Sequence, residues 1–444
     1  MLAGILGGEP QQDATYRVTG DGDLPSAFAV TDLASASVAA AALAAAEFAG
    51  ALDGRPRAIE VDRRLASMWF GFTLRPRGWE LPSPWDPIAG DYEASDGWVR
   101  LHTNAPAHRE AALRVLGVTP EREAVAAAAA RWDAVALETA VVEAGGCAAA
   151  MHPEAQWNAA EAGRAVRSEP LIHWDIGGDA PPLAAPVDPS RPLAGVRVLD
   201  LTRVLAGPVA TRFLALLGAD VLRVDPPDWD EPGVVPEVML GKRAARLDLR
   251  QADDRATFEG LVASADAIVH GYRAGALEGL GYDSEALRAL RPGLVEVCLN
   301  AYGWTGPWRE RRGFDSLVQM SAGIAHTGMA WAGSPRPHPL PVQALDHATG
   351  YLMAFATLRG LAERRRGQAL RARLSLARTA ALLTGHRLQS ATPLAPEAPA
   401  DIDGATEDTG WGPAARLRAP VRIKGVALHP ARPAMPLGSH APRW

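Results

Sequence analysis

The chain has 444 residues, of which 48% are hydrophobic and 22% charged, and this balance is typical of a folded globular protein. Its net charge of -6 and isoelectric point near 6.0 give no broad basic surface, which argues against nucleic acid as a partner. The two cysteines, Cys147 and Cys298, are too few for a disulfide framework, and no ligand spacing predicts a metal site.

The first residues lack the basic lead and the apolar length of a secretion signal. The longest apolar stretch, 34–45, consists mainly of alanine and is shorter than the roughly 20 residues that a membrane span needs. The sequence therefore predicts a cytoplasmic protein that does not interact with membranes.

A Pro- and Asp-rich passage, 179–190, separates two halves of different composition and is typical of an interdomain linker. Beyond it, short apolar strands alternate with amphipathic helices. The predicted strands are 196–199, 221–224, 267–269 and 294–299, and the predicted helices are 208–217, 256–264 and 284–290. This alternation predicts an α/β fold with a doubly wound parallel sheet. Ala206-Gly207-Pro208 replaces a Gly-x-Gly-x-x-Gly fingerprint after the first strand, so a dinucleotide cofactor is unsupported.

Several motifs follow one another beyond the linker, and each is weak alone but specific as part of an ordered set. They are Leu205-Ala206-Gly207-Pro208, the run 217–225, Gly241-Lys242-Arg243, the run 272–277, the run 302–307 and Asp346-His347-Ala348-Thr349-Gly350. This set resembles the family III coenzyme A transferases, strongly over 191–380 and out of order elsewhere. The resemblance implies a Rossmann-like sheet with long connecting helices, a smaller α+β domain and a homodimer. It also implies acyl-CoA and a small carboxylic acid as substrates, with no tightly bound cofactor.

Two segments of the chain resemble each other across the linker, which indicates a rearranged chain with a partial duplication. Asp32, the alanine-rich helix after it and the strand-like Ile59–Asp62 are similar to Asp346, its helix and the strand at 372–376. The small-domain signature, 91–99, follows the first copy instead of the second, and Asp32 is interpreted as a vestigial helix cap. The predicted units are a degenerate partial copy (1–185), the linker end (186–190), the CoA-binding transferase domain with its nucleophile (191–385) and a Pro/Ala-rich return segment (386–444).

Transfer of CoA between carboxylic acids needs a nucleophile that can hold an acyl group and then a thioester, and a carboxylate can do both. Asp346 opens a strongly helical stretch, so its position alone predicts a helix N-cap. The helix dipole and free amides there favour the ionised carboxylate. The resemblance implies that Asp346 is the nucleophile, because the family's nucleophilic aspartate occupies this Asp-x-x-x-Gly position.

Other residues are implied to contact CoA. The backbone of Val204, Leu205 and Ala206 would line the thioester through main-chain groups, because Leu205 stands where some relatives carry glutamine. Lys242 and Arg243 would meet the phosphates, and the alternative for this pair is a solvated surface turn.

A second set would cradle the adenine and the pantetheine arm. It consists of Tyr272, Arg273, Ala276 and Leu280. Core packing is the alternative for Tyr272 and Leu280, because apolar residues at such spacing normally face a core.

Phe314 and Asp315 bear on the type of chemistry. Related α-methylacyl-CoA racemases carry a proton-transferring histidine at the position of Phe314, and phenylalanine cannot replace it, which disfavours racemisation. Asp315 either orders the site near Asp346 or is a structural cap. The favoured prediction is a CoA transferase with aspartyl anhydride and thioester intermediates. A non-catalytic CoA-binding protein is the other alternative, since no glycine-rich lid loop is recognisable after residue 392.

Overall fold

The structure is a computed structural model that describes residues 1–7, 15–184, 188–273, 275–389 and 392–444. Residues 185–187 of the predicted linker and Ala274 of the Tyr272 motif lie outside the described residues. The described strands are β1 (Tyr16–Thr19), β2 (Ile59–Asp62), β3 (Leu74–Pro76), β4 (Gly90–Ala94), β5 (Gly97–Leu101), β6 (Ala148–Ala150), β7 (His173–Asp179), β8 (Arg197–Leu201), β9 (Asp220–Asp225), β10 (Arg243–Arg246), β11 (Ala267–His270), β12 (Val295–Asn300), β13 (Gln368–Ser375), β14 (Glu407–Thr409), β15 (Gly412–Arg416) and β16 (Val421–Ile423).

The described α-helices, again in chain order, lie between and around these strands. They are α1 (Leu2–Ile5), α2 (Val30–Asp53), α3 (Arg63–Met68), α4 (Pro106–Leu116), α5 (Arg122–Ala129), α6 (Ala134–Glu143), α7 (Glu154–Ala159), α8 (Glu161–Ser168), α9 (Ala206–Leu216), α10 (Val235–Val238), α11 (Ala252–Ala263), α12 (Ser284–Leu290), α13 (Asp315–Ser321), α14 (Ile324–Ala332), α15 (Ala344–Arg365) and α16 (Leu376–Thr384). Single 3-10 turns occur at Glu278–Leu280 and Pro399–Asp401.

The largest sheet has seven strands in the order β10-β9-β8-β11-β12-β13-β7. Neighbouring strands from β10 to β13 pair in parallel, and β7 pairs antiparallel with β13. The central strands β11 and β12 are buried along their whole length, as expected of strands with both faces covered. The predicted α/β fold with a large, mostly parallel sheet is confirmed, and the strands and helices predicted beyond the linker correspond to β8, β9, β11, β12, α9, α11 and α12.

The edge strand β7 lies on the N-terminal side of the boundary predicted at 186–190. Because β7 pairs with β13, the two predicted halves share one sheet. The sequence did not reveal this strand, since its residues His173-Trp174-Asp175-Ile176-Gly177-Gly178-Asp179 include aspartates and glycines that β-propensity disfavours. Edge strands tolerate such residues because they pair on one side alone.

Two long helices, α2 and α15, pack against each other beside the sheet and share one core with α9. Both are followed by a strand, β2 and β13 respectively, so the two segments interpreted as a duplication have the same order of elements. Among the described helices, α2 is long and apolar enough to cross a membrane, but 89% of its most apolar window is buried inside the protein. We interpret α2 as a core helix.

The segment around the predicted small-domain signature forms a separate layer with its own core. Strands β4, β5 and β6 form an antiparallel sheet that α4, α5 and α6 cover. The C-terminal residues return to the N-terminal region, because β16 pairs with β2 and β15 pairs with β3. Strands β15 and β16 lie within the return segment predicted for 386–444, whose bounds stay a prediction.

Candidate active site

A cavity of about 360 Å³ opens at the carboxyl ends of β8, β11 and β12. Parallel α/β sheets bind ligands at this edge. Six of the predicted site residues line the cavity together: Val204, Ala206, Tyr272, Arg273, Ala276 and Asp346. The structure therefore brings residues from three separate motifs to one place.

The turn from β8 to α9 holds Val204 in a strained conformation. Its φ of 64° is in the left-handed region, which a β-branched residue rarely adopts. The amide of Val204 donates to Glu231 Oε1 at 2.8 Å, which helps to hold the turn. At Gly207, a Cβ would lie 2.2 Å from Thr202, so the tight turn requires glycine there. Backbone strain of this kind is concentrated at functional turns.

Asp346 lies in the first turn of α15 and is 7% exposed. Gln343 occupies the N-cap position, so the N-cap alternative for Asp346 is wrong. Burial and the neighbouring Asp315 raise the pKa of the Asp346 carboxyl well above its usual value. The helix dipole was expected to favour the ionised carboxylate, whereas burial and the like charge of Asp315 act in the opposite direction.

Asp315 begins α13 and is buried directly behind Asp346. Its carboxylate accepts hydrogen bonds from the Asp346 amide at 2.9 Å and from the Gln319 side chain. Gln319 in turn accepts from the Leu340 amide at 2.7 Å, which fixes the approach to α15. Burial raises the pKa of Asp315 to about 6. Of the two roles left open, the structure favours ordering of Asp346.

Close packing of α15 against α9 explains the glycine of the Asp-x-x-x-Gly motif, Gly350. A Cβ on Gly350 would lie 2.4 Å from the carbonyl oxygen of Ala206 and 2.8 Å from the side chain of Val209. Because α15 approaches α9 this closely, Asp346 and the β8–α9 turn face the same cavity.

Lys242 does not face the cavity. Its ammonium is fully buried and contacts Asp200 Oδ2 at 3.0 Å, Thr211 Oγ1 at 2.6 Å and the Pro208 carbonyl at 2.9 Å. Burial lowers the pKa of Lys242 to about 8, against the opposing effect of Asp200. The predicted phosphate contact is therefore wrong for Lys242, because its three donors are used inside the protein.

Arg243 is the first residue of β10. Its guanidinium pairs with Asp220 at 2.7 Å and lies 5.7 Å from the ring centroid of Trp444. Arg243 is not among the cavity-lining residues of the described chain. The predicted phosphate role does not fit this position either.

Two further predicted binding residues belong to the core. Leu205 is buried ahead of α9, and Leu280 packs in the 3-10 turn against the hydrophobic cluster that contains Leu277 and Tyr282. Neither is among the described residues that line the cavity. For Leu280, the core-packing alternative is correct.

Tyr272 belongs to an aromatic and cationic stack on the cavity wall. The guanidinium of Arg203 lies 5.0 Å from the Tyr272 ring centroid and 4.2 Å from that of Trp229. Sequence reasoning missed Arg203 and Trp229, although Arg203 lies in the turn between β8 and α9. Further basic residues line the cavity: Arg273, Arg309, Arg311 and Arg312. This wall suits a ligand that carries phosphates and a flat ring.

Comparison with known families gives a match over residues 193–419 to the model described as CoA-transferase family III. This chain belongs to CoA-transferase family III. The chain is 36% identical over 202 residues to "Acetyl-coenzyme A transferase nodX" of Hypoxylon pulicicidum, covering 44% of this chain and 33% of that protein. It is 30% identical over 298 residues to "Acyl-CoA transferase" of Gibberella moniliformis, covering 62% of this chain and 52% of that protein.

A solved structure that is similar to this chain is that of Rv3272 from Mycobacterium tuberculosis, with 33% sequence identity and a TM-score of 0.40. That match covers 44% of this chain and 56% of the other. The chain spans about half the length, or less, of the curated relatives that it matches first.

The cavity that contains Asp346 also receives side chains from the layer of β4–β6 and α4–α6, which precedes the predicted linker in the chain. Phe314 lines the cavity, and its ring stacks on His102 with centroids 3.7 Å apart. His108, at the start of α4, lines the same cavity and meets Phe314 edge-on. Burial, with a smaller effect of Arg312, lowers the pKa of His108 to about 4. No local pattern around His108 predicts its role, because tertiary packing alone brings it to this site.

Proposed function

We propose that this chain transfers CoA from an acyl-CoA donor to a carboxylic acid acceptor through covalent intermediates on Asp346. The observation that carries the proposal is the buried Asp346 carboxyl, which faces one cavity with the strained Val204 turn and the Tyr272 wall. The relatives named as CoA and acyl-CoA transferases support the reaction class.

The reaction balances without a resident cofactor. The Asp346 carboxylate attacks the thioester carbonyl, so a mixed anhydride forms and the CoA thiolate leaves. That thiolate attacks the aspartyl carbonyl, which releases the donor acid and leaves an Asp346 thioester. The acceptor carboxylate then displaces the thiolate to give a second anhydride. Finally, the thiolate attacks the acceptor's acyl carbonyl, and the new acyl-CoA and the Asp346 carboxylate result.

The surroundings of Asp346 suit these steps in two ways. A carboxylate with a raised pKa is a stronger nucleophile once ionised, because its charge is poorly stabilised by its surroundings. A buried position also limits the access of water, which would hydrolyse an anhydride. The amide of Ala206, at the start of α9, would stabilise negative charge on the thioester oxygen, since the Val204 amide is already bonded to Glu231.

CoA itself would bind along the wall of Arg203, Trp229 and Tyr272. An adenine ring stacks well on aromatic and guanidinium planes, and phosphates pair with arginine more specifically than with other side chains. Arg273 and Arg309 lie on the same cavity and are exposed, so they can meet phosphate groups in solvent. They take the place of Lys242 and Arg243 in the proposed contacts.

Several broader features belong to the same proposal. The strand order β10-β9-β8-β11-β12-β13 matches the 3-2-1-4-5-6 order of a Rossmann-like sheet, which supports a doubly wound architecture. A homodimer, a cytoplasmic location, and the absence of a tightly bound cofactor and of nucleic-acid or membrane partners stay predictions from the sequence and the resemblance.

The proposal is tested by trapping the intermediate. The protein is mixed with a panel of acyl-CoAs, quenched with hydroxylamine and digested, and the peptide containing Asp346 is analysed by mass spectrometry. We expect a hydroxamate on Asp346 with at least one donor. Asp346→Asn should lose the label and slow transfer by about 10⁴-fold or more, while the affinity for CoA stays nearly unchanged.

Asp32→Asn is the matched control, because Asp32 holds the equivalent place in α2 but pairs with Arg63 at a half-exposed site. It should leave the Asp346 label intact. Binding of CoA without any Asp346 hydroxamate across the panel would contradict the transferase proposal and favour a non-catalytic CoA-binding protein.

His108 supports a second candidate, the racemisation of acyl-CoA. Phe314 removes the expected histidine, but the imidazole of His108 reaches the same cavity as Asp346. A neutral imidazole, with its pKa lowered to about 4, and the Asp346 carboxyl on one cavity could take and return an α-proton. Deuterium exchange at the α-carbon of a branched acyl-CoA, lost in His108→Gln and kept in the buried-histidine control His102→Gln, would support it. No exchange in the unaltered protein would reject it.

A further inference from the structure

A second cluster of chemically reactive side chains lies inside the large sheet. Cys298 and Glu296 are two residues apart on β12, so both point to the same face of the sheet. On the adjacent parallel strand β11, His270 is in register with Cys298. Strand geometry alone therefore places a thiol, a carboxylate and an imidazole side by side.

The three side chains are close enough to share one ion. One ligand atom from each of His270, Glu296 and Cys298 lies within 4.8 Å of the other two. An ion equidistant from three atoms at that separation would be about 2.8 Å from each, whereas zinc is held at about 2.0–2.3 Å. Side-chain rotations that move each atom by roughly half an ångström would close the site.

Burial and charge also suit a cation. All three residues are buried, and a thiolate and a carboxylate together carry the two negative charges that neutralise a divalent ion. The Nδ1 atom of His270 is buried without a hydrogen-bond partner among the described residues. Such an atom is costly to leave unpaired, so a ligand that engages it lowers the free energy.

Glu296 already has three polar neighbours, one of which is His270, whose Nε2 atom lies 3.4 Å from Glu296 Oε1. Arg371 Nε lies 3.1 Å from Glu296 Oε1, and Ser284 Oγ donates to both carboxylate oxygens. The Arg371 side chain is 22% exposed and can turn toward solvent, while the hydroxyl of Ser284 can remain bonded to an oxygen that also binds an ion. This arrangement resembles the outer hydrogen bonds that orient metal-binding carboxylates.

We propose that His270, Glu296 and Cys298 form a binding site for a divalent cation of the zinc type. Zinc accepts one sulfur, one nitrogen and one oxygen ligand in a tetrahedral site, with a fourth position for water. Hard cations such as magnesium disfavour thiolate, and this selects zinc, cobalt or related ions.

The site lies directly beneath the proposed active site. Gly271 and Leu299 immediately follow His270 and Cys298 in the chain, and both line the cavity that contains Asp346. An ion that joins β11 to β12 would restrict the floor of that cavity. The site is otherwise independent of the transferase proposal, so its test needs no substrate.

The test uses the full chain and cobalt as a spectroscopic probe. Metal-free protein is titrated with Co²⁺ under reducing conditions, and ultraviolet-visible spectra are recorded. We expect a thiolate-to-cobalt charge-transfer band with visible bands of tetrahedral intensity at one ion per chain. Added Zn²⁺ should abolish these bands. Cys298→Ser should lose the charge-transfer band and weaken Zn²⁺ binding by about tenfold or more.

Cys147→Ser is the matched control, since Cys147 is the other buried cysteine and lies in a separate hydrophobic cluster. It should keep the full spectrum. A second variant, His270→Gln, covers the case in which Cys298→Ser does not fold, and it should weaken binding to a similar extent. The proposal is overturned if the unaltered chain shows no charge-transfer band, or if folded Cys298→Ser keeps it.

Discussion

At the scale of single residues, the carboxyl pair of Asp315 and Asp346 controls when the proposed nucleophile carries charge. Asp315 raises the pKa of Asp346 and also accepts its backbone hydrogen bond. One residue therefore both positions the nucleophile and opposes its ionisation. Because a raised pKa means that the carboxylate forms only as pH rises, transfer should increase with pH through that pKa.

Asp315→Asn tests this arrangement. The amide keeps an oxygen that can accept from the Asp346 amide, but it removes the neighbouring charge, so the pKa of Asp346 should fall. We expect the acid limb of the pH–rate profile to move to lower pH, measured as initial rates of acyl transfer across a buffered series. Asp32→Asn should leave the limb unchanged. An acid limb that stays in place in Asp315→Asn would show that the two carboxyls are not coupled.

Lys242 gives a contrasting prediction, because its charge is buried in a structural pair. Lys242→Met leaves Asp200 buried without its cation, and we expect the free energy of unfolding to fall by about 3–5 kcal/mol. Urea unfolding measures this loss, and calorimetry on the folded variant should give an unchanged dissociation constant for CoA. The exposed Lys424→Met should change stability by less than about 0.5 kcal/mol. Weaker CoA binding with unchanged stability would restore Lys242 to the phosphate site.

The sequence identified Asp346 through its motif, but it could not show the state of that residue. The shift in its pKa arises from burial and from Asp315, which is 31 residues away in the chain and adjacent in space. The same limit explains why the burial of Lys242 could not be predicted, because its partner Asp200 lies on β8, 42 residues earlier in the chain. A local sequence pattern indicates which residues contact a ligand. The charge state of those residues depends on neighbouring side chains that are distant in the sequence and are brought close only by the fold.

At the scale of elements, the α2–α15 pair shows how small side chains set the distance between helices. Most α2 residues that enter the core are alanines, and such side chains let helix backbones approach closely. Ala41→Leu inserts a larger side chain into this packed interior, and we expect a loss of about 1–3 kcal/mol. Denaturant unfolding provides the measurement.

Ala51→Leu is the control for that substitution, since Ala51 is exposed near the end of the same helix. It should change stability by about 0.5 kcal/mol or less. Equal effects at both positions would show that helix propensity, and not packing against α15, determines the result.

The elements themselves were largely predictable beyond the linker. Apolar runs of strand length recurred between helical periodicities, and β8, β9, β11 and β12 lie where those runs predicted them. The strand β7 was missed, because an edge strand needs no continuous apolar run. The placement of α4, which brings His108 to the cavity, could not be predicted from the sequence either. Helix periodicity predicts which face of a helix is buried, but it does not predict which element covers that face.

At the scale of the whole molecule, a buried carboxylate connects three distant parts of the chain. Glu237 in α10 pairs with Arg212 of α9 and with Arg416 of β15, and it accepts from the Thr73 hydroxyl at 2.7 Å. Although burial alone would raise its pKa, the two arginines lower the pKa of Glu237 to about 2. The folded state therefore binds this proton less tightly than the unfolded chain does.

Stability that arises from a lowered carboxyl pKa is present above its ordinary value of 4.5 and is lost as pH falls toward about 2. Glu237→Gln should accordingly reduce the free energy of unfolding at pH 7 by about 3–5 kcal/mol. Urea unfolding at a series of pH values should show this difference narrowing below about pH 4.5. Glu310→Gln, at an exposed position, is the control. A difference that stays constant with pH would contradict the proposed charge network.

The pairing of β7 with β13 also has a consequence for how the molecule is made. A ribosome delivers β7 long before β13, so the sheet edge that β7 completes does not exist while most of the chain is being synthesised. Until then Trp174 and Ile176 belong to an unpaired strand, and Ile176 remains 60% exposed even in the finished fold. Contacts between such distant segments form slowly, because a long loop must close first. Folding of this protein during synthesis should therefore depend on conditions that keep the unpaired, partly apolar β7 from aggregating until β13 has been synthesised.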